Sequence, residues 1–272
     1  MQLSTKQWHE RYQQQTHWTK DIRRYLYDLS GLSTAKRVLD VGCGTGALLE
    51  ELDKNAGETT LGFDGDLYGI DISANNISYA NSSGVVTNLI LGDALSLPFA
   101  EGSFDITLCH FFLLWITHPE IALAEMVRVT RPSGAILAIA EPDYGGRIDY
   151  PLELNKLGKW QVESLRKSGA DPYIGRRLRE IFIQAGLVDI HTGVLGGQWS
   201  SNISHKEIQS EWDVLRFDLE ALFADDPDTG WQAEFERLRA LDELAWIRGE
   251  RVLYVPTFYA LGHVPKRRRV PE

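Results

Sequence analysis

An α/β fold with a doubly wound, mostly parallel sheet and an added helical cap follows from three features of the sequence. From Arg37 to about Asp143, strand-like segments alternate with segments of helical period. The strand-like segments are near-continuous apolar runs, the pattern of strands covered on both faces. The first of them runs straight into three glycines at alternate positions and then into a helix. Glycine loses more backbone freedom on folding than any other residue, so three in one turn imply positive φ or something lying against the main chain. A strand–glycine turn–helix unit also presents a helix N-terminus to a ligand.

Each element has its own signal. Ahead of the sheet, "KQWHERYQQQTHWTKDIRRYLYDLS" reads as one aromatic-rich helix with Trp8, Tyr12, Trp18 and Tyr25. "RVLDVG" is the first strand, and Ala47, Leu48, Leu49 and Leu52 set the helix after the glycines. "LYGIDIS" is the second strand, with Ser73 as N-cap of the helix "SANNISYA". "NLILGDA" and "FDITLCHF" are the third and fourth. "THPEIALAEMVRVT" is a helix in which Thr117 and Glu120 are spaced as a capping box and Pro119 sits in the first turn. After a turn at "RPSG", "AILAIAEPD" is the fifth strand.

The second half changes character. "IGRRLREIFIQAGL" is a helix ending at Gly186, followed by strand-like "VDIHTGVL". Strand signal then vanishes between about Gln198 and Glu250. Ser204 and Glu207 are spaced as a capping box, and Ile208, Trp212, Leu215, Leu219 and Leu222 form an apolar stripe at helical spacing. After "DDPDTG", a second helix carries Phe235, Leu238, Leu241 and Leu244, and "RVLYVPTFYALG" returns to strand. The expected division is a helical cap over residues 1–35, a sheet domain over 36–197 and 251–264, and a helical insertion over 198–250.

Composition narrows the function. Of 272 residues, 43% are hydrophobic and 24% charged, as in an ordinary globular protein. Lys and Arg total 28 against 38 Asp and Glu, a net charge of −10 that opposes nucleic-acid partners. The basic run "PKRRR" reads as a solvated tail. Cys43 and Cys109 lack metal-ligand spacing and read as reduced core thiols, so no metal site is expected. "MQLSTKQWHE" has no signal-peptide core, and "ITLCHFFLLWI" is too short to span a bilayer. The expectation is a cytoplasmic protein without membrane insertion.

Ligands of doubly wound sheets sit outside the carboxyl ends of the strands. Those ends carry Asp71, Asp93, Cys109-His110-Phe111-Phe112 and Glu141-Pro142-Asp143-Tyr144. Such acidic groups read hydroxyls and an amine, and they repel phosphates. Gly42, Gly44 and Ala47 also satisfy the dinucleotide pattern G-x-G-x-x-G/A, which keeps a nicotinamide oxidoreductase open. Asp40, two residues before Gly42, extends the pattern to D-x-G-x-G-x-G.

Four ordered motifs, "VLDVGCGTG", "GIDIS", "GDALSLPFAEGSFD" and "RPSGAILAI", resemble those of class I S-adenosylmethionine-dependent methyltransferases, notably the small-molecule and quinone-pathway branch. The resemblance spans roughly Val38–Ala140. It implies a seven-stranded sheet with the last strand antiparallel, S-adenosylmethionine as cofactor, and a small-molecule acceptor methylated in line on O, C or N. By matching positions it implies that Gly42, Gly44 and Gly46 admit the methionine part, with Asp40 holding the loop or reaching the amino group. Asp71 would bind the ribose hydroxyls and Ile72 pack on adenine; Asp93, Ala94 and Leu95 would receive the adenine edge. His110 and Phe111 would lie beside the sulfonium, His110 as the candidate base. "CHFF" lacks the N/D-P-P-Y motif of the amino-methylating branch. Tyr12, Trp18, Glu141, Tyr144 and Trp212 are the candidate acceptor-pocket residues. The N-terminal helix and residues 198–250 hold Trp8, Trp18, Trp199, Trp212, Trp231 and Trp246, and are expected to close over the cofactor. A protein that binds S-adenosylmethionine without catalysis is the other alternative.

Overall fold

Five strands of the first half pair in parallel: β1 (Arg37–Val41), β2 (Asp66–Asp71), β3 (Asn88–Leu91), β4 (Phe104–Cys109) and β5 (Thr130–Pro142), in the order β3-β2-β1-β4-β5. Two later strands, β7 (Val188–Val194) and β9 (Thr257–His263), complete a seven-stranded sheet. β9 lies between β5 and β7 and runs antiparallel to both. The computed structural model describes residues 4–55, 63–83, 88–196, 205–226 and 229–266. Gln198, Trp199, Ser204, Pro227, Asp228 and the end of the basic run, Arg267–Arg269, lie outside them.

Period-two alternation places each strand's apolar residues on both faces. Val38, Ile106, Leu108 and Leu137 join one core with Leu26 of α2 (Lys20–Ser30), Leu48, Leu49 and Leu52 of α3 (Ala47–Asn55) and Ile77 of α4 (Ala74–Ser82). Leu39, Val41, Cys109 and Ile136 join the other with Leu123 and Met126 of α5 (Pro119–Val129) and Leu178 and Phe182 of α7 (Ile174–Gln184). Both cysteines are buried and free. The strand order reverses between β1 and β4, so the crevice faces the glycine turn on one side and His110 on the other.

Several expectations are corrected locally. The single N-terminal helix breaks at Thr19, where φ is −102° and ψ 7°, into α1 (Thr5–Trp18) and α2. Ser73 does cap α4, accepting from Asn76 N–H. Thr117 and Glu120 form no capping box, because His118 is the N-cap residue and its ring Nδ1 engages Glu120 at 3.2 Å. "RPSG" is not a turn ahead of β5 but a bulge within it, with Ser133 at φ 63° and its N–H donated to Val264 O at 2.9 Å. The last apolar run is split around Pro256, which has no N–H for a ladder. Its first part, β8 (Val252–Tyr254), pairs with β6 (Ile148–Tyr150) in a separate sheet.

A third core holds the helical part together. Leu157 and Trp160 of α6 (Asn155–Lys167), Trp212 and Leu215 of α8 (His205–Leu222), and Trp231 and Phe235 of α9 (Trp231–Ile247) pack into it. α6 was expected with the sheet, and its Leu165 does reach that core, so α6 bridges the two. Among the described residues, no helix is long and apolar enough to cross a membrane.

Candidate functional site

Asp40, Gly42, Gly44, Gly46 and Asp71 meet at the carboxyl ends of β1 and β2. Gly42, Gly44 and Gly46 have φ of 74°, 54° and 81°, the left-handed region that side chains resist. The loop is fastened from within: Gly42 and Cys43 N–H donate to Ile70 O at 2.8 and 3.0 Å, and Gly44 N–H donates to Asp71 Oδ2 at 2.8 Å. Its other face therefore offers close approach more than free donors. Two rings occupy that approach: a Cβ on Gly42 would meet Phe112 at 2.2 Å, and one on Gly44 would meet Tyr12 at 3.2 Å.

α1 reaches the loop along one face. His9 Nδ1 and Thr45 Oγ1 are hydrogen-bonded at 2.9 Å, and the His9 and Tyr79 rings lie 4.9 Å apart. Tyr12 crosses above Gly44, its phenol pushed up to about 12 by burial and then by Asp71. At the break, Thr19 Oγ1 lies 2.9 Å from His110 Nε2 and takes a bond from buried Arg23, which also pairs with Glu51 of α3. The sequence reading missed His9, Thr19, Arg23 and Phe112. Polar residues at helical spacing (His9, Thr16 and Thr19 with Tyr12) carried the signal for two of them, His9 and Thr19.

Asp40 is buried, and its Oδ1 has no hydrogen-bond partner among the described residues. Burial, and secondarily the negative Asp71, push its carboxyl up to about 8. An orphaned carboxylate oxygen beside a glycine loop fits the cationic amine of the cofactor that the motifs imply. Asp71 Oδ1 accepts from Ser73 N–H and Asn76 Nδ2, so the same carboxylate holds both the loop and the start of α4. Ile72 is 75% exposed beside it. Asp93 is exposed and accepts from Leu95 N–H at 2.9 Å, capping a turn, with Ala94 buried beneath.

His110 and Phe111 stand directly after β4 as expected, whereas Glu141, Trp212 and Trp18 stand elsewhere or act otherwise. Burial, and then Arg23, push His110 down to about 3, so its ring is neutral and only weakly basic. Phe111, edge-on to it at 4.8 Å, takes a left-handed φ of 51°, uncommon for a non-glycine residue. Glu141 is 0% exposed and does not line a pocket. Its carboxylate accepts from Phe112, Leu113 and Leu114 N–H at 3.0, 3.0 and 3.2 Å, fixing the turn that presses Phe112 onto Gly42. Trp212, 4% exposed, donates to Asp242 Oδ2 at 2.9 Å inside the helical core, away from the crevice. Trp18 faces outward from α1, 47% exposed, beneath the Arg11 guanidinium.

The buried carboxyls give a pH prediction. Burial raises Asp40 to about 8 and Glu141 to about 7, in the latter case outweighing three backbone bonds. Carboxyls whose folded pKa is raised contribute stability that is fully present below about pH 4 and is lost as pH rises through the folded values. The ligand-free protein should melt progressively lower from pH 5 to 8. Asp40→Asn should show a shallower fall in thermal melts, and parallel profiles would contradict this.

Residues 39–138 match the family described as "Methyltransferase domain". A demethylmenaquinone methyltransferase of Renibacterium salmoninarum is 35% identical over 129 residues, 47% of this chain and 51% of the relative. The Ubiquinone/menaquinone biosynthesis C-methyltransferase UbiE of Paraburkholderia xenovorans is 37% identical over 107 residues, 38% of this chain and 42% of the relative. The chain thus spans about half the length of the curated relatives it matches. Among solved structures, the YcgJ protein of Bacillus subtilis superposes with a TM-score of 0.54 at 16% identity, covering 92% of this chain and 99% of that one. A SAM-dependent methyltransferase of Archaeoglobus fulgidus gives 0.51 at 19%, covering 92% and 94%. At such identities these two likenesses show the fold.

Proposed function

We propose that this chain, whose residues 39–138 are a class I S-adenosylmethionine-dependent methyltransferase domain, transfers a methyl group to a small-molecule acceptor. The observation that carries the reading is the orphaned Asp40 Oδ1 beneath a three-glycine loop that Asp71 closes from the end of β2. In this reading Asp40 receives the amine, the glycines admit the methionine chain, and Asp71 exchanges its Gly44 bond for the ribose hydroxyls. Ile72 covers the adenine, and Asp93, Ala94 and Leu95 meet its edge. When bound, the sulfonium supplies an activated methyl group. The protein's own task is to hold the nucleophile in line and exclude water. α1 serves that task as a cover, clipped to the loop by His9 and Thr45. The relatives' names make a demethylated quinol ring the first acceptor to try.

Carboxylates at both strand ends disfavour the diphosphate of a nicotinamide cofactor. Calorimetry with S-adenosylmethionine, S-adenosylhomocysteine and NAD tests this, with binding expected for the first two alone. Binding of NAD alone would return the chain to the oxidoreductases. Binding of S-adenosylmethionine with no demethylated product across an acceptor panel would make it a non-catalytic binder. Asp71→Ala should weaken S-adenosylmethionine binding by about 1.5–3 kcal/mol, the scale of hydrogen bonds to a charged acceptor. Unchanged affinity in a folded variant would remove Asp71 from the site.

A further inference from the structure

The break between α1 and α2 brings a buried cation to the end of β4. Arg23 lies in the first turn of α2, with its guanidinium turned back across the break. Its Nη1 donates to Thr16 O, in the last turn of α1, and to Thr19 Oγ1, while Nη2 pairs with Glu51 of α3. Buried Thr19 extends the chain by one step, its Oγ1 lying 2.9 Å from His110 Nε2. The His110 ring is half-buried, and its other nitrogen, Nδ1, bonds no described residue and is not sealed from solvent. Nδ1 is thus the open end of the chain, at the carboxyl end of β4 where the crevice lies.

Counting protons fixes the ring. The Thr19 hydroxyl has one proton and accepts from Arg23, so it donates either to His110 Nε2 or to Gln15 O, 3.0 Å away. Thr16 O, at 3.4 Å, is already bonded by Arg23. Donation to Gln15 O needs a proton on Nε2, and two N–H groups, one of them charged, then converge on a single oxygen. Donation to Nε2 aligns Arg23, Thr19 and the imidazole head to tail, and the cation strengthens the hydroxyl as a donor. Arg23 also opposes positive charge on the ring, which favours a lone pair at the nitrogen facing it. The imidazole proton then belongs on Nδ1. This state suits a site built around a sulfonium. A base that takes a proton there becomes a second cation, whereas a neutral N–H donor adds no charge.

We propose that Arg23 and Thr19 are positioning residues that hold His110 as its Nδ1–H tautomer, so that the ring offers the bound methyl acceptor a neutral hydrogen-bond donor. The ligand in this statement rests on the methyltransferase reading; the tautomer does not. It gives a role to α2, which lies outside the matched segment of residues 39–138.

The test is nitrogen-15 nuclear magnetic resonance of the full chain with labelled histidine, the His110 signals being assigned by their loss in His110→Asn. Protonated and bare ring nitrogens differ widely in shift, so the tautomer is read directly. Nδ1 should carry the proton in the ligand-free protein. Thr19→Val should lower the Nδ1–H share about twofold or more, because nothing then selects one tautomer, and Thr19→Ser should restore it. A merely structural role for Thr19 would lower the melting temperature and leave the tautomer alone. Arg23→Met should act in the same direction; if it fails to fold, the two Thr19 variants still decide. A proton on Nε2 in the unaltered chain, or an unchanged ring in folded Thr19→Val, would overturn the assignment. Saturating S-adenosylhomocysteine should shift Nδ1 more than Nε2, and an unmoved Nδ1 in the complex would overturn its placement toward the crevice. In turnover, His110→Asn keeps an N–H near the Nδ1 position and should hold kcat within about tenfold, whereas His110→Leu should lose about a hundredfold or more. Equal losses in the two would overturn the donor role. Failure of S-adenosylhomocysteine to bind at all would instead count against the methyltransferase reading and leave the tautomer result standing.

Discussion

Replacing Gly44 with valine is expected to abolish measurable S-adenosylmethionine binding while the sheet remains folded. Two effects coincide at this residue. Its φ of 54° is one that a β-branched residue strongly resists, and a Cβ there would stand 3.2 Å from the Tyr12 ring. Relief requires either turning the peptide, which breaks the Gly44 bond to Asp71, or displacing α1 from the loop. Either change removes the surface on which the methionine chain would lie. The two cores that hold the sheet do not contain Gly44, so its removal leaves their packing in place. Calorimetry with far-ultraviolet circular dichroism checks both halves of the statement. Normal binding by a folded Gly44→Val protein would show that the turn does not receive the cofactor.

The largest stability effect is expected at Asp149. This carboxylate of β6, 1% exposed, accepts from Arg147 Nε at 2.7 Å and Nη2 at 3.0 Å, and from Arg251 Nη2 at 2.7 Å. Arg251 continues to Asp242 of α9, which takes the Trp212 indole bond, and Arg147 continues to Gln161 of α6. One buried chain of charges thus ties the small sheet to all three helices of the third core. Asp149→Ala leaves two buried guanidiniums sharing too little negative charge. Removing one partner of a buried pair costs about 3–5 kcal/mol, far above an exposed bridge. Urea denaturation should show a loss of this size, and a loss below about 1 kcal/mol would mean that water replaces the carboxylate.

The sequence by itself determined the sheet, the glycine loop and the acidic residues beside it. Val38, Leu39 and Val41 followed by Gly42, Gly44 and Gly46 encode a strand and its turn within nine residues. Period-two burial and left-handed turns are local properties of a chain. Asp71 was legible for the same reason, since it ends a strand and precedes a capped helix. The tertiary structure alone decided what surrounds that loop. Glu141 carries the same carboxylate as Asp71, yet its three backbone donors come from 27–29 residues away, and they turn a candidate pocket residue into a buried anchor. Trp212 has the periodicity of a pocket-lining helix, but its indole bonds Asp242, thirty residues on, and that contact places it in a separate core. His110 ends its strand where a base would stand, but neutral burial beside Arg23 and Thr19 fixes its charge state. Burial and partner choice at long separation set pKa and exposure, and neither is written in the spacing of residues along one strand or one helix.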